Sequence, residues 1–90
     1  MKLKYNFVTN FVAGKTVAVA VGESAEKFSG FMKMNTTAAK IFEFLKEETS
    51  KEELVLKLKE IYPDETEATL KESVDSFVAE LQKAGVLCDD

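Results

Sequence analysis

Apolar residues recur along this chain with two different periods, and the change falls near residue 35. Before it the pattern is that of strands. "YNFVTNFVAG" is rich in β-branched and aromatic residues, and "KTVAVAVG" sets Val17, Val19 and Val21 against Ala18 and Ala20. Gly14 with Lys15 marks a turn between these runs, and the polar link "GESAEK" leads to a third run, Phe28 to Met34. Short strands joined by short links predict an antiparallel meander with the third strand at an edge. A sheet this small needs a cover for its apolar face.

After Met34 the spacing becomes helical. Asn35 is a good N-cap, because its side-chain oxygen can accept an orphan N–H of the first turn. Ala38, Ile41, Phe42 and Leu45 then share one face, with Phe44 off the stripe. Ser50 and Glu53 form a capping box for a second helix that buries Leu54, Val55, Leu58 and Ile61 and stops at Tyr62-Pro63. Asp64 with Glu67 is expected to cap a third helix, roughly Glu67 to Ala84, striped by Leu70, Val74, Phe77, Val78 and Leu81. Gly85 ends it, with Val86 and Leu87 placed for the hydrophobic contact of a C-terminal cap. The order predicts an α+β domain: a three-stranded antiparallel sheet followed by three helices, like a winged helix-turn-helix with its sheet first.

Composition narrows the partners. Ninety residues, without repeat or linker, read as a single domain, 1–90, with a thin core. No apolar run approaches the ~20 residues of a membrane span. The lysine-containing start lacks the long apolar region of a secretory signal, and the single cysteine, Cys88, excludes an internal disulfide. A cytoplasmic protein is expected. The net charge is −4, with twelve lysines, no arginine and sixteen acids. Nucleic-acid binding draws its affinity from cations on phosphates, and Arg makes the commonest specific base contact, so a polynucleotide partner is disfavoured.

Nor does the chain assemble catalytic chemistry. It has no histidine, and one cysteine near its end cannot build the usual zinc or nucleophile sites. Its glycines are spaced as turns and a cap, not as a phosphate loop. The carboxylates alternate with lysines as solvated helix faces do. No enzyme activity, cofactor or metal is expected. Phe31 is less ordinary. Strict alternation puts Phe28, Gly30, Met32 and Met34 on one face and Ser29, Phe31 and Lys33 on the other, so both faces carry apolar residues. Either another segment covers Phe31, the blander expectation, or Phe31 contributes to a docking groove. Lys33 reads as an exposed residue or a charge blunting an open edge. Met34 reads as flexible core filler, although methionines also suit adaptable peptide sites.

Taken in order, "FVAGKTVAVAVGESAEKFSGFMKMN", "MNTTAAKIFEFL", "EETSKEELVLKLKEIY" and "VDSFVAELQKAGVL" resemble the PqqD family over nearly the whole chain. These small proteins take their name from pyrroloquinoline quinone biosynthesis protein D. The family's Leu-Asn, small residue and Ile/Leu-Trp pattern is matched by Met34, Asn35, Ala38 and Phe42, with Ala38 for the common Gly and Phe42 for the Trp. Asp75, Phe77, Leu81 and Gly85 match its last helix. The resemblance implies a RiPP recognition element, a non-catalytic chaperone. Such a domain holds the leader of a ribosomally made precursor and presents it to a modifying enzyme, often of the radical SAM class. It also implies that the leader adds as a strand to the third β-strand and packs against the last helix. The expected peptide-binding residues are therefore Phe28, Ser29, Gly30, Phe31, Met32 and Lys33 along the strand, and Leu70, Val74, Phe77, Val78 and Leu81 on the helix. Part of that helical stripe is core and part lines the groove, a division the sequence leaves open. Gly30 would admit a close backbone or mark a bulge. Asn35 and Gly85 are structural caps. A DNA-binding winged helix and a general protein-interaction domain remain the alternatives.

Overall fold

The structure, a computed structural model, describes residues 1–28 and 30–88. Strands β2 (Phe7–Val12) and β3 (Lys15–Ala20) form a hairpin whose last pair is Val12 with Lys15. Its two turn residues are therefore Ala13 and Gly14, at φ of +51° and +79°. Positive φ at both centres is what a type I′ turn demands, matching the right-handed twist of the strands. Strand β4 (Phe31–Met34) pairs antiparallel with β3, setting Phe31 opposite Val19 and Met34 opposite Thr16. The order β2-β3-β4 puts β4 at an edge, as expected.

The third strand is shorter than the run Phe28 to Met34. Ser24–Lys27 make one helical turn, α1, which Phe28 closes by donating its N–H to the Ser24 carbonyl at 3.0 Å. Gly30 follows at φ +98°, far from the negative φ of a strand, so the ladder begins only at Phe31. Phe28 and Gly30 thus stand outside the strand. The Phe28 ring instead packs edge-on against Phe7, 5.6 Å between centroids.

The two faces of this sheet are almost equally apolar. Phe7, Ala18, Ala20 and Met34 point inward and are buried. The register gives the outward face Val8, Asn10 and Val12 from β2, Lys15, Val17 and Val19 from β3, and Phe31 and Lys33 from β4. Val21, just past β3, follows the same alternation. Small alanines on the inner face leave room for the large rings, with Phe42 meeting Phe7 at 5.3 Å. Phe31 is 60% exposed, so the segment expected to cover it is not there among the described residues.

Helix α2 (Thr36–Phe44) packs on the sheet, and α3 (Lys51–Ile61) and α4 (Glu67–Ala84) pack against α2 and against each other. Asn35 Oδ1 accepts the Ala38 N–H at 2.8 Å and Ser50 Oγ accepts the Glu53 N–H at 3.2 Å, the two caps anticipated. The α4 cap is Thr66, not Asp64: its Oγ1 accepts the Thr69 N–H at 3.1 Å. Asp64 lies inside a turn closed by the Glu65 N–H on the Tyr62 carbonyl, too far upstream to reach the first helical turn. At the other end, Gly85 is left-handed. Its N–H bonds the Gln82 carbonyl and the Val86 N–H bonds Leu81, a Schellman closure over buried Leu81 and Val86.

One core joins helices and sheet, with Ile41, Phe42, Leu45, Leu54 and Leu58 fully buried in it, each side chain contributing roughly 1.5–3 kcal/mol by leaving water. Ile61 escapes this core at the end of α3 and is 40% exposed. A second, two-stranded ribbon joins β1 (Lys2–Leu3) to β5 (Leu87–Cys88). The Leu3 N–H also reaches the Leu45 carbonyl at 2.8 Å, tying the start of the chain to the end of α2. The fold is α+β, with α1 and this ribbon added to the expected elements.

Candidate functional site

Strand β4 has a free side. Antiparallel strands turn the N–H and C=O of alternate residues to opposite sides, so every second residue of β4 points both groups away from β3. Among the described residues nothing bonds to them. The strand's four residues span roughly 13 Å at ~3.3 Å each. Such an edge is a template for another extended chain. Its carboxyl end is fixed, because Asn35 follows Met34 directly and caps α2.

Beside that end lies a cavity of about 470 Å³ between the start of α2 and one side of α4. Asn35, Thr37, Ala38 and Ile41 form one wall; Thr69, Ser73, Ser76 and Phe77 form the other, with Glu72 and Glu80 at its margin. The α4 wall follows from helical geometry. Thr69, Ser73 and Ser76, with Phe77 beside them and Glu80 a turn further on, repeat every three or four residues on a stripe adjoining the buried Leu70, Val74, Val78 and Leu81. Small polar residues there leave space, while Phe77 and Ala38, both part-exposed, supply an apolar patch over buried Ile41. The cavity can receive an apolar side chain and bond a backbone through hydroxyls. Lys33, on the outer face, holds its ammonium 5.9 Å from the Phe31 ring centre.

A second concavity opens at the hairpin end, about 430 Å³, lined by Thr9, Phe11, Thr16, Ala39, Phe44 and Ile61 among others. No grouping of three or more His, Cys, Asp or Glu residues able to hold a metal occurs among the described residues. None of the described helices is long and apolar enough to cross a membrane.

The family model of coenzyme PQQ synthesis protein D (PqqD) matches residues 15–87. The chain belongs to the PqqD family. Among solved structures, TbiB1 in complex with the TbiA(beta) leader peptide is similar to this PqqD domain, with a TM-score of 0.71 at 16% identity. The alignment covers 99% of this chain and 100% of that one, and shows a shared fold. No curated protein matches the sequence.

Within this PqqD domain, the residues expected to bind peptide separate into three groups. Phe31, Met32 and Lys33 lie on the β4 edge, with Met32 half-buried on the inner side and Phe31 and Lys33 on the outer. Phe28 and Gly30 precede the strand, and Ser29 lies outside the described residues. Of the helical set, Leu70, Val74, Val78 and Leu81 are core, all at or below 2% exposure and closed to a peptide. Only Phe77 reaches the cavity. The stripe is wide because α4 packs against both α2 and α3, which uses its apolar residues inside the domain. Sequence reasoning missed Thr69, Ser73 and Ser76. Their signal was present: Thr69, Ser73 and Ser76 are small polar residues at helical spacing, each one position before an apolar residue of the stripe.

Proposed function

We propose that this domain is a non-catalytic peptide chaperone. It binds the leader of a ribosomally made precursor by strand addition at β4 and presents it to a modifying enzyme, of the radical SAM class by family habit, in the cytoplasm. The observation that carries the reading is a free β4 edge whose next residue, Asn35, lines the cavity walled by α4. An added strand bonds the outward groups of β4, and its inward side chains drop toward Phe77 and Ala38. Main-chain bonds give affinity and the pocket gives selectivity. Family membership and the fold shared with TbiB1, solved with a leader peptide, support the same reading. The experiment is a titration with the leader of a precursor encoded beside this domain, read by calorimetry and by amide exchange along β4. Saturable binding with slowed exchange at Phe31–Met34 is expected. Absence of binding rejects the proposal. Salt-sensitive binding of arbitrary duplex DNA at low micromolar protein, within the ~10⁻⁴–10⁻⁶ M range of non-specific binders, returns the winged-helix alternative.

A further inference from the structure

The outward face of the sheet is unusual for a solvated one. Antiparallel sheets with one wet side alternate apolar inside with polar outside. Here Val8, Val19 and Phe31 form a row straight across the three strands, and all three are exposed. β-propensity favours valine and phenylalanine singly at strand positions, but it does not by itself line three of them up in one exposed row across the sheet. The charge is equally uneven. Among the described residues no acid lies on the strands of this face, whose only charges there are Lys15 and Lys33.

From this we infer that the outer sheet face docks the peptide-modifying enzyme, through an enzyme surface with an apolar centre and a carboxylate rim. The inference rests on the leader-binding reading above and extends it to a second surface. Two observations select the occupant. The face measures roughly 14 by 20 Å, on the order of 300 Å². A second copy packed on it would bury about twice that, well below a stable dimer interface, and would bring the lysines of both copies together without a carboxylate. The other is continuity with the β4 edge. A strand added there sends alternate side chains onto this same face, beside Phe31 and Lys33. A protein docked here therefore touches the bound leader, and its contact area grows by that strand. The enzyme that acts on the peptide is the partner placed to gain from both.

The test uses the modifying enzyme encoded beside this domain, titrated with the full domain, free and leader-loaded. Val19→Lys puts a charge at the centre of the row, a strand away from the β4 edge; the pair Val8→Thr with Val19→Thr keeps β-propensity and removes only apolar surface. Both variants are expected to hold leader within about twofold of the parent, while enzyme affinity falls roughly tenfold or more for Val19→Lys, the scale of an interface hot spot. Raising salt should weaken the parent complex. If Val19→Lys does not fold, the threonine pair decides. Equal enzyme affinity of folded variant and parent, including no binding by either, overturns the inference. So does a parent homodimer that Val19→Lys dissolves. A parent that binds enzyme through this face but never binds leader removes the leader reading and leaves the docking face standing.

Discussion

The sheet has two edges, and they differ in what stands beside them. Strand β2 is the longer, with six residues against four in β4, and by hydrogen-bonding capacity alone it is the better template. The concavity near it is lined by the sheet's own inner residues and by α2 and α3, with no contribution from α4. Phe11 there is 72% exposed. At β4 the arrangement is reversed. The edge is short, but its end is capped into α2 and a helical wall carrying Phe77 rises across the cavity. A free edge supplies bonds that any chain can use; a wall across from it supplies the choice among chains. On the proposed leader-binding reading, the shorter edge is thus the one built to select.

Proline separates the two edges most sharply. Single prolines at Phe31, Met32, Lys33 and Met34 should alternate in outcome, since proline is tolerated only where the N–H points away from the neighbouring strand. Every second variant should unfold or lose about 3 kcal/mol or more, by analogy with the loss in helix interiors. The others should stay folded and bind leader poorly. Prolines at the outward N–H positions of β2 should leave leader binding at the parent level. Calorimetric affinities and thermal melts report both, and parent-like binding by all folded β4 variants would put the peptide elsewhere. Gly30 is uninformative here, because its φ of +98° is closed to proline whatever the edge does.

Filling the cavities gives the next largest effect. Ser76 is exposed on the α4 wall, so Ser76→Arg should change stability by no more than about 0.5 kcal/mol. It should nevertheless weaken leader binding roughly tenfold, about 1.4 kcal/mol of lost fit. Phe11→Ala at the hairpin end should leave binding as it was. The reverse pattern in a binding titration would exchange the roles of the two edges.

The cap beside β4 gives a smaller effect, read as stability. Asn35→Ala should lower stability by about 0.5–2 kcal/mol, measured by urea unfolding. An unchanged midpoint would mean that the 2.8 Å bond to Ala38 contributes nothing.

Local chemistry made some of this fold legible. Asn35 and Ser50 announce helix starts by themselves, and Gly85 after an apolar stripe ends α4 where expected. The face of β3 could not be read the same way. Val17, Val19 and Val21 and the alternating Ala18 and Ala20 are all apolar, so alternation gives a period without a direction. The alanines turn inward because Phe7, Phe42 and Met34 occupy the space that valines would need. The β1–β5 ribbon pairs Lys2 with Cys88, and no window along the chain contains both partners. The cavity failed for another reason. The stripe on α4 was visible as apolar, but burial against two helices takes four of its five residues, and burial of that kind exists only after packing.

The hairpin turn carries a consequence for what this domain can tolerate. Ala13 sits at φ +51°, where the Cβ of an L-residue crowds the carbonyl oxygen that follows, at a cost of roughly 1–2 kcal/mol. Ala13→Gly should recover up to about 1 kcal/mol after the added chain freedom of glycine is counted. That corresponds to a melting temperature higher by roughly 4–8 °C in a domain this size. A small protein lives near the threshold below which substitutions empty its native state. The turn lies at the far end of the ladder from the row of Val8, Val19 and Phe31, and it borders neither β4 nor α4. Relaxing it would therefore widen the mutational range of β4 and of the cavity beside α4 without touching either, so that changes there could be selected for what they hold and not only for whether the domain still folds.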